Sequence, residues 1–477
     1  MGWLYGINTL GAAIGCAMAG FILLPELGLI RSVQIGAVIN ILCGIAVWFL
    51  NVPDIHIQDE TTTKKQEPSR GGLTTVSMLF FFVGFAALGY EVLWTRYLAL
   101  LIRNTVYTYT LTLAIILVGI VLGSIIASRF FDRSSNRALY FGILQVLTAL
   151  SVLILMKLEP AFWEQIENEF WIISSLLLAP AVFSGASFPL AVRMVVENSI
   201  DASFGTGKMA ALNTLGGILG SLLIGFLGLP FFGLQKCLLF LTFVSLITGF
   251  VSWLRLSQVF SLQVRVLAVI GVLIIWLVIP IVQTVRIPAD YLAYGKTLVD
   301  FHEGFGSNLS VIKKDDVLQL EIDSLWQGED RKNHQAVAAH VPMLLHSNPR
   351  KVLLVGVGAG QTPSRLLMYD VEKVACVDIE PTIFDFVRRH FGSDWMDDKR
   401  VKLVCEDGHS YIEHSDEKYD VISLEVGQVF RPGVAFFYTQ EFYRIVHERL
   451  NSAGIVSQFV PMPFFTKTQF QSVINTF

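Results

Sequence analysis

A glycine-rich turn is the stretch of this sequence best suited to chemistry. The apolar run Val352–Val355 leads into three glycines at alternate positions, Gly356, Gly358 and Gly360. Glycine lets a backbone turn sharply off a strand and approach a ligand closely, and the helix that follows presents free N–H groups. Alone, such a turn is a weak signal, because many strand-to-helix turns are merely tight.

Acids at the ends of the predicted strands strengthen that signal. Asp378 closes the next strand, about 20 residues past the glycines, where a carboxylate holds the hydroxyls of a nucleotide ribose. Asp407, with Gly408 after it, and Glu425 follow two further apolar runs. Ligands of parallel sheets bind at the carboxyl ends of the strands. The pattern therefore predicts a nucleoside-binding α/β domain.

Each polar residue also has a structural interpretation. Asp378 could cap the following helix, and Asp407 could be a turn residue. Glu425 could form an ion pair with Arg431. A single histidine, His334, is as often structural as catalytic. These alternatives stay open from the sequence.

The elements that must position these residues alternate between strand and helix, which indicates a mostly parallel sheet with helices on both faces. An alternating stretch, Leu309–Trp326, predicts a small β-hairpin layer in front of it, and the segment 334–346 has helical spacing. The predicted strands are 351–355, 373–378, 401–405, 419–424 and 455–459, and the predicted helices are 362–369, 381–391 and 439–450.

The composition indicates a membrane protein in its first half. Hydrophobic residues make up 53% of the chain, charged residues 16%, and the mean hydropathy is +0.58. A net charge of −4 without a basic stripe gives no support for nucleic-acid binding, so we expect no nucleic-acid partner. The five cysteines form no C-x-x-C pair, so we expect no metal site. Runs of membrane-spanning length lie at 7–29, 33–51, 73–93, 105–128, 138–157, 171–192, 209–229, 236–255 and 264–284.

An internal repeat relates two of these hydrophobic stretches. Ile7–Leu29 matches Leu212–Leu234 at a constant offset of 205, with Asn8 opposite Asn213 and Pro25 opposite Pro230. Many transporter folds are built from such repeats. We expect the chain to start inside a longer repeat and to stop within its last domain. The predicted organisation is a remnant of a first transmembrane repeat (1–51), a polar linker (52–72), a second repeat plus one extra hydrophobic segment (73–284), the β layer with its lead-in helix (285–346) and the nucleoside-binding domain (347–477).

Basic residues predict the sidedness of the spans. The loop at 128–137 carries three arginines and is expected to face the cytoplasm. Counting nine full spans from there places the soluble domain outside. A nucleoside substrate, however, is made and kept in the cytosol. We therefore expect a multi-pass protein of the bacterial inner membrane with a cytoplasmic soluble domain, in which 264–284 does not span or an earlier span is miscounted.

The order of the motifs LEIDSLWQ, NHQ, GVGAG, VDIE, EDG, YDVISLE and FFYTQEFY resembles the spermidine synthase, or aminopropyltransferase, family. Nearly the whole chain is similar to bacterial membrane proteins that fuse a transporter-like (MFS-like) region to a spermidine synthase domain. The resemblance implies a multi-span helical domain followed by a Rossmann-like, methyltransferase-type domain. It also implies transfer of an aminopropyl group from decarboxylated S-adenosylmethionine, as co-substrate and without a cofactor, to an amine. A homo-oligomer and a lipid bilayer are the expected partners.

The resemblance also assigns roles to residues. The glycine loop and Gly408 would belong to the nucleoside site. The further assignments are Asp378 on the ribose hydroxyls, Asp407 on the adenine amino group, Gln327 on the nucleoside, Asp323 and His334 on substrate, and Glu425 in place of the catalytic Asp.

Departures from the family pattern leave the acceptor amine open. Ala359 stands where the glycine loop of the family carries an Asp, and Asn333 stands where a Tyr precedes the histidine. Two other functions remain as alternatives: an S-adenosylmethionine-dependent methyltransferase, and a non-catalytic domain that senses nucleosides or polyamines on a transporter-like module.

Overall fold

The chain forms two compact units in a computed structural model. The helical unit comprises Met1–Ile102 and Tyr107–Pro288, and the α/β unit comprises Arg103–Val106 and Ala289–Phe477. The structure describes residues 2–49, 70–101, 105–131, 134, 136–165, 170–195, 202–257, 259–282, 285–304, 306–331, 334–429, 431, 433–462 and 465–477.

The helical unit is built from long apolar helices. Several of them continue into short π-helical turns, at Ala19–Leu23, Ala127–Phe131, Leu223–Gly228 and Ser252–Leu256. The α-helices are Gly2–Met18 (α1), Leu24–Phe49 (α2), Arg70–Leu101 (α3), Val106–Ile126 (α4), Arg137–Leu155 (α5), Pro160–Gln165 (α6), Phe170–Val195 (α7), Ala202–Leu222 (α8), Leu229–Val251 (α9) and Leu262–Val282 (α10).

Within the described residues, six helical stretches are long and apolar enough to cross a membrane. Two of them, Gly6–Phe49 and Gly205–Leu256, each contain two of the predicted spans, because helix continues through the π-helical turn. The predicted span 264–284 falls on α10, whose described apolar part, Leu262–Val278, is shorter. Of the predicted linker 52–72, residues 52–69 lie outside the described part. The last three linker residues, 70–72, were predicted wrongly, because they form the first turn of α3. Glycine and arginine are tolerated there, since the N–H groups of a first helical turn have no partner within the helix.

The two repeat copies share an unusual backbone. A π-helical turn follows α1 at Ala19–Leu23 and follows α8 at Leu223–Gly228. A glycine then breaks the helical geometry in each copy, Gly28 with φ 75° and Gly233 with φ 80°. These glycines are themselves 205 residues apart, the offset of the sequence repeat (233 − 28 = 205). The same local sequence therefore produces the same turn and kink twice.

Glycines let α3 and α8 touch backbone to backbone. A Cβ atom built at Gly216 would lie 2.0 Å from the carbonyl oxygen of Phe81, and one at Gly220 would lie 2.1 Å from that of Phe85. From the other side, a Cβ atom at Gly84 would lie 2.0 Å from the carbonyl oxygen of Asn213. Small residues at helix contacts permit such close packing in lipid.

A four-stranded antiparallel sheet opens the α/β unit. After the short helix Ala289–Leu292 (α11), its strands are Thr297–Glu303 (β1), Asn308–Lys314 (β2), Val317–Ile322 (β3) and Leu325–Glu329 (β4), in the order β1-β2-β3-β4. The predicted hairpin layer was too small, because it omitted β1 and the end of β4. Two-residue turns with left-handed backbone, at 315–316 and 323–324, join β2 to β3 and β3 to β4.

A five-stranded parallel sheet follows, in the order β7-β6-β5-β8-β9. Every strand pairing in it is parallel, and β5 lies in the centre. Its strands are Lys351–Val355 (β5), Lys373–Asp378 (β6), Val401–Cys405 (β7), Tyr419–Leu424 (β8) and Leu450–Gln458 (β9), and its helices are His334–Leu345 (α12), Gln361–Leu366 (α13), Pro381–Phe386 (α14), Gly408–His414 (α15), Gln440–Glu448 (α16) and Lys467–Thr476 (α17).

The structure corrects several predicted bounds. The helix predicted at 362–369 ends at Leu366, and the one at 381–391 becomes π-helical at Val387–Phe391. Strand β9 starts at Leu450, five residues earlier than predicted, because pairing with β8 extends an otherwise polar segment. Cys405 at the end of β7 is exposed, because β7 is an edge strand.

Both faces of this sheet are buried. Val352 and Leu354 of β5 pack into one hydrophobic cluster, and Leu353 and Val355 pack into another on the opposite face. Alternate residues of a strand point to opposite faces, so a continuous apolar run is what a doubly covered strand requires. The two cores fix the position of the strand ends that carry the polar residues.

Candidate active site

The polar residues meet at the carboxyl edge of the central strands. Beyond β5, the N–H of Gly356 donates to the carbonyl of Val377 at 2.9 Å. The N–H of Glu425 donates to the carbonyl of Val355 at 2.8 Å. These bonds continue the parallel ladder past the strand ends. The glycine loop therefore begins between Asp378 on one side and Glu425 on the other.

The glycine loop has a backbone that other residues rarely adopt. Gly356, Gly358 and Gly360 have φ values of +89°, +53° and +75°. A Cβ atom at Gly356 would lie 3.4 Å from the Cβ of Glu425, and one at Gly358 would lie 3.1 Å from the carbonyl oxygen of Gln327. Both the conformation and the space therefore require glycine here.

Asp378 fastens the loop to the end of β6. Its Oδ2 accepts from the N–H of Val357 at 2.9 Å, and its Oδ1 accepts from the N–H of Glu380 at 3.1 Å. A carboxylate has about four lone-pair positions, so each oxygen keeps capacity for a hydroxyl donor. The helix cap of α14 is Glu380 rather than Asp378, so the structural alternative for Asp378 is wrong. Val357, the partner of Oδ2, lies in the glycine loop itself.

Burial changes the acidity of Asp378. Its side chain is almost fully buried, and this desolvation raises the pKa of its carboxyl to about 6, although the two backbone N–H donors oppose the shift. At neutral pH the group is still mostly ionised, since one pH unit above the pKa leaves about a tenth protonated. Asp378 is therefore a buried anion that can accept from ribose hydroxyls.

Asp407 and Gly408 begin α15. The Oδ1 of Asp407 accepts from the N–H of Ser410 at 2.8 Å, so this residue is the helix cap. It remains partly exposed, with its second oxygen available for a ligand. A Cβ atom at Gly408 would lie 2.3 Å from the Cγ1 of Val355. Gly408 thus serves close packing of α15 on β5, which is a different role from ligand contact.

Glu425 is held by a residue that sequence reasoning missed. The hydroxyl of Ser423, in β8, donates to the Oε1 of Glu425 at 3.3 Å. Desolvation by burial raises the pKa of Glu425 to about 7, and the hydrogen bond from Ser423 opposes this shift. A serine within a fully buried strand was the signal that could have identified it. A carboxyl with a pKa near neutrality is suited to proton transfer at physiological pH.

Asp323 and Arg431 form a buried ion pair with each other. The Nη2 of Arg431 donates to the Oδ2 of Asp323 at 2.8 Å. The Oδ1 of Asp323 accepts from the backbone N–H of Asn308, and the Asp323 side chain has no exposed surface. The alternative of a Glu425–Arg431 pair is therefore wrong, because the guanidinium is directed to Asp323. The predicted substrate contact of Asp323 has no support in this geometry.

Gln327 and His334 both precede the glycine loop in the sequence. The structure places Gln327 in β4, with its carbonyl beside Gly358. His334 opens α12, and its side chain lies outside the described part of the chain. The next residue, Gln335, was not predicted. It is buried with its Nε2 beside Gly358, and its Oε1 has no partner among the described residues.

The arrangement can bind a nucleoside and move a proton. Asp378 and Asp407 offer hydrogen-bond acceptors at adjacent strand ends, whereas Glu425 offers a carboxylate whose ionisation falls near neutral pH. Among the described residues, no group of three His, Cys, Asp or Glu side chains could hold a metal ion.

Comparison with known proteins relates the C-terminal part of the chain to one family. Residues 332–477 match the family described as Spermine/spermidine synthase domain. A polyamine aminopropyltransferase of Oceanobacillus iheyensis is 24% identical over 416 residues, which cover 85% of this chain and 79% of that protein. Polyamine aminopropyltransferase 2 of Aquifex aeolicus is 24% identical over 421 residues, covering 84% and 82%.

Two further similarities cover a smaller part of this chain. A polyamine aminopropyltransferase of Sulfurisphaera tokodaii is 32% identical over 149 residues, 30% of this chain and 48% of that protein. A crystal structure of spermidine synthase from Thermotoga maritima is 24% identical, covers 38% of this chain and 64% of its own, and has a TM-score of 0.34.

The matches to the first two relatives are longer than the α/β unit and so extend into the helical unit as well. The chain thus joins apolar helices at its N-terminal end to a C-terminal region that matches the spermine/spermidine synthase domain, and the relatives named above are polyamine aminopropyltransferases.

Proposed function

We propose that the α/β unit transfers an aminopropyl group from decarboxylated S-adenosylmethionine to an amine. The observation that carries this proposal is the position of Asp378 and Glu425 on opposite sides of Gly356. One buried carboxylate there suits a ribose, and the other suits the amine that must lose a proton. The names of the relatives, polyamine aminopropyltransferases, support the same reaction.

The reaction needs little besides placement and a base. The neutral amine attacks the propyl carbon attached to the sulfonium, so a C–N bond forms as the C–S bond breaks. The electron pair of the broken bond stays on sulfur, which leaves as neutral methylthioadenosine. The new ammonium group then gives its proton to the ionised Glu425. Binding both reactants in line removes most of the entropic barrier.

The roles of the remaining residues follow from their positions. Asp378 accepts from both ribose hydroxyls with the lone pairs that Val357 and Glu380 do not use. The free oxygen of Asp407 accepts from the adenine amino group. The glycine loop leaves room for the nucleoside, with Gln327 against its outer side.

A product assay tests this proposal. The purified full chain is incubated with decarboxylated S-adenosylmethionine and a panel of mono-, di- and triamines, and the products are identified by mass spectrometry. We expect methylthioadenosine together with an aminopropylated amine. Formation of S-adenosylhomocysteine from S-adenosylmethionine would instead identify a methyltransferase. Nucleoside binding without turnover of any amine would identify a sensing domain.

The helical unit is proposed to be an MFS-like membrane domain that holds the enzyme at the cytoplasmic face of the bacterial inner membrane. Six apolar helical stretches of the described residues and the internal repeat support this placement. A unique cysteine at Ser415, in the loop before β8, tests it in a background without other cysteines. Labelling by a membrane-impermeant maleimide only after cell lysis is expected, whereas labelling of intact cells would place the unit outside.

A further inference from the structure

A buried carboxamide lies beside the glycine loop, and the reaction described above gives it no role. Gln335, the second residue of α12, is only 4% exposed. Its Nε2 lies 3.4 Å from a Cβ atom built at Gly358 and 3.0 Å from one built at Gly328 of β4. The carboxamide therefore lies where the glycine loop meets the small antiparallel sheet.

The backbone of Gln335 is held in place, whereas the oxygen of its side chain is not. The carbonyl of Gln335 accepts from the Oγ1 of Thr362, in α13, at 3.4 Å. The Oε1 atom, in contrast, is buried and has no hydrogen-bond partner among the described residues. A buried carbonyl oxygen without a donor is costly, and most such groups in folded proteins have a partner. The position of Gln335 thus favours a ligand that brings an N–H donor to this oxygen.

The glycine loop has no polar side chain of its own at this point. Ala359, between Gly358 and Gly360, is fully buried and offers only a methyl group. The methyl carbon lies 2.9 Å from a Cβ atom built at Gly328, on the side that also faces Gln335. The carboxamide of Gln335 is therefore the described polar side chain nearest to both Gly328 and Gly358.

We propose that Gln335 is a specificity-determining residue that accepts a hydrogen bond from the ammonium group at the end of the aminopropyl chain. This assignment rests on the proposed function, in which Asp378 binds the ribose hydroxyls and Asp407 binds the adenine amino group. The ammonium group is the donor of the nucleoside that those two contacts leave without a partner. Asp378 borders the same loop as an anion and attracts the positive charge, whereas the neutral carboxamide fixes the direction of an N–H group.

A carboxamide can present either of its ends to a ligand. The last torsion of a glutamine side chain is broad and roughly two-fold, so the oxygen and the nitrogen can exchange positions within the same space. The Oε1 of Gln335 can therefore turn toward the loop when an ammonium group arrives. With this contact, the site distinguishes a nucleoside that carries an aminopropyl chain from one that carries a methyl group.

Two unreactive nucleosides test this assignment, because they differ only in that chain. Decarboxylated S-adenosylhomocysteine carries the aminopropyl group on a neutral thioether, which does not transfer it, and methylthioadenosine carries a methyl group instead. Calorimetry with the purified full chain measures the affinity for each nucleoside. The parent should prefer the aminopropyl nucleoside by about tenfold or more, since a hydrogen bond to a charged group is strong.

Two variants of Gln335 change the acceptor while keeping the volume of the side chain nearly constant. Gln335→Leu should lose most of the preference and keep the affinity of the parent for methylthioadenosine. Gln335→Glu keeps an acceptor and adds negative charge, so its preference should equal or exceed that of the parent. The matched control is Gln440→Leu, at an exposed glutamine that begins α16, and this variant should bind both nucleosides like the parent.

Several outcomes would overturn the proposal. An equal loss of affinity for both nucleosides in a folded Gln335→Leu chain would show that the side chain only supports the loop. An unchanged preference in that variant would place the ammonium group elsewhere. Thermal unfolding identifies a variant that does not fold, and in that case a smaller preference of Gln335→Glu than of the parent would contradict the contact.

Failure of this assignment can be distinguished from failure of the proposed function. A parent chain that binds neither nucleoside would overturn both. A parent chain that forms the aminopropylated product, together with a Gln335→Leu variant of unchanged preference, would overturn the role of Gln335 alone.

Discussion

Glycine has different functions in the two units. In the helical unit, Gly216 and Gly220 keep helical angles, and the space above them is filled by the backbone of α3. In the α/β unit, Gly356 and Gly358 have positive φ values, and the loop they form runs between the buried Asp378 and the partly buried Glu425. One group of glycines closes a contact, whereas the other keeps a polar site clear of side chains.

This difference separates stability from function. Where protein atoms fill the space above a glycine, an added side chain should damage folding. Where acids border the space, removal of those acids should damage ligand binding or turnover and leave folding nearly intact. The predictions below test that division, beginning with the largest effect.

Gly216→Leu should destabilise the helical unit by about 3 kcal/mol or more, because the side chain would have to occupy the backbone of α3. Thermal unfolding in detergent, followed by circular dichroism, measures this. Gly207→Leu lies in the same helix where a Cβ atom meets nothing within 4 Å, and it serves as the control. Equal melting temperatures for the two variants would contradict the backbone contact.

Asp378→Ala should weaken nucleoside binding by about 2–4 kcal/mol, since a buried charged acceptor is lost. Calorimetry with methylthioadenosine measures the affinity. The control is Asp416→Ala, at an exposed acid, and this variant should bind methylthioadenosine with the affinity of the parent. Unchanged affinity in the Asp378 variant would remove this residue from the nucleoside site.

Glu425→Gln should reduce kcat by about a hundredfold or more with little change in nucleoside affinity, because the amide cannot accept the proton. Steady-state assays of methylthioadenosine release provide the measurement. Glu406→Gln, at an exposed acid at the end of β7, is the matched control. If the Glu425 variant turned over like the parent, another group would have to be the base.

Ser423→Ala should produce the smallest change, a shift in pH dependence. Glu425 must be ionised to accept a proton, so kcat/KM should rise as pH increases through about 7. The hydrogen bond from Ser423 lowers the pKa of Glu425. Loss of this hydrogen bond should therefore move the rise of kcat/KM to higher pH, by a few tenths of a pH unit to about one unit. At pH values well above the pKa of Glu425, the rates of the variant and the parent should be equal.

A suitable control for that shift is Ser310→Ala. Ser310 is also fully buried in the α/β unit, and its hydroxyl has no partner among the described residues. Its pH profile should match that of the parent. A Ser423→Ala profile identical to the parent would show that the hydroxyl does not act on Glu425.

Local sequence patterns predicted the candidate site residues better than the ion pair and the strands that surround them. The glycine loop, Asp378 and Glu425 were predictable because strand ends and turns are encoded within a few residues. The Asp323–Arg431 pair joins residues 108 positions apart, so the local spacing of residues does not predict it. Strand β1 was missed because its half-exposed, mixed sequence lacks a clear alternation.

The number of membrane helices illustrates the same limit. Hydropathy identifies apolar runs but does not predict whether the helix continues from one run to the next. At both Pro25 and Pro230 the chain continues in a helical conformation, and it bends at the glycines three residues later. Packing against neighbouring helices decides such continuity, and a single run of sequence does not describe its neighbours.

The Asp323–Arg431 pair has a consequence for the thermodynamics of ligand binding. Together with the hydrogen bond from Gln428 to the carbonyl of Trp326, it ties the segment after Glu425 to the small antiparallel sheet. Part of that segment is thus ordered before a substrate arrives. Ordering a loop on binding subtracts from affinity. The segment that carries the base is therefore preorganised, and less of the free energy of substrate binding is lost in fixing it.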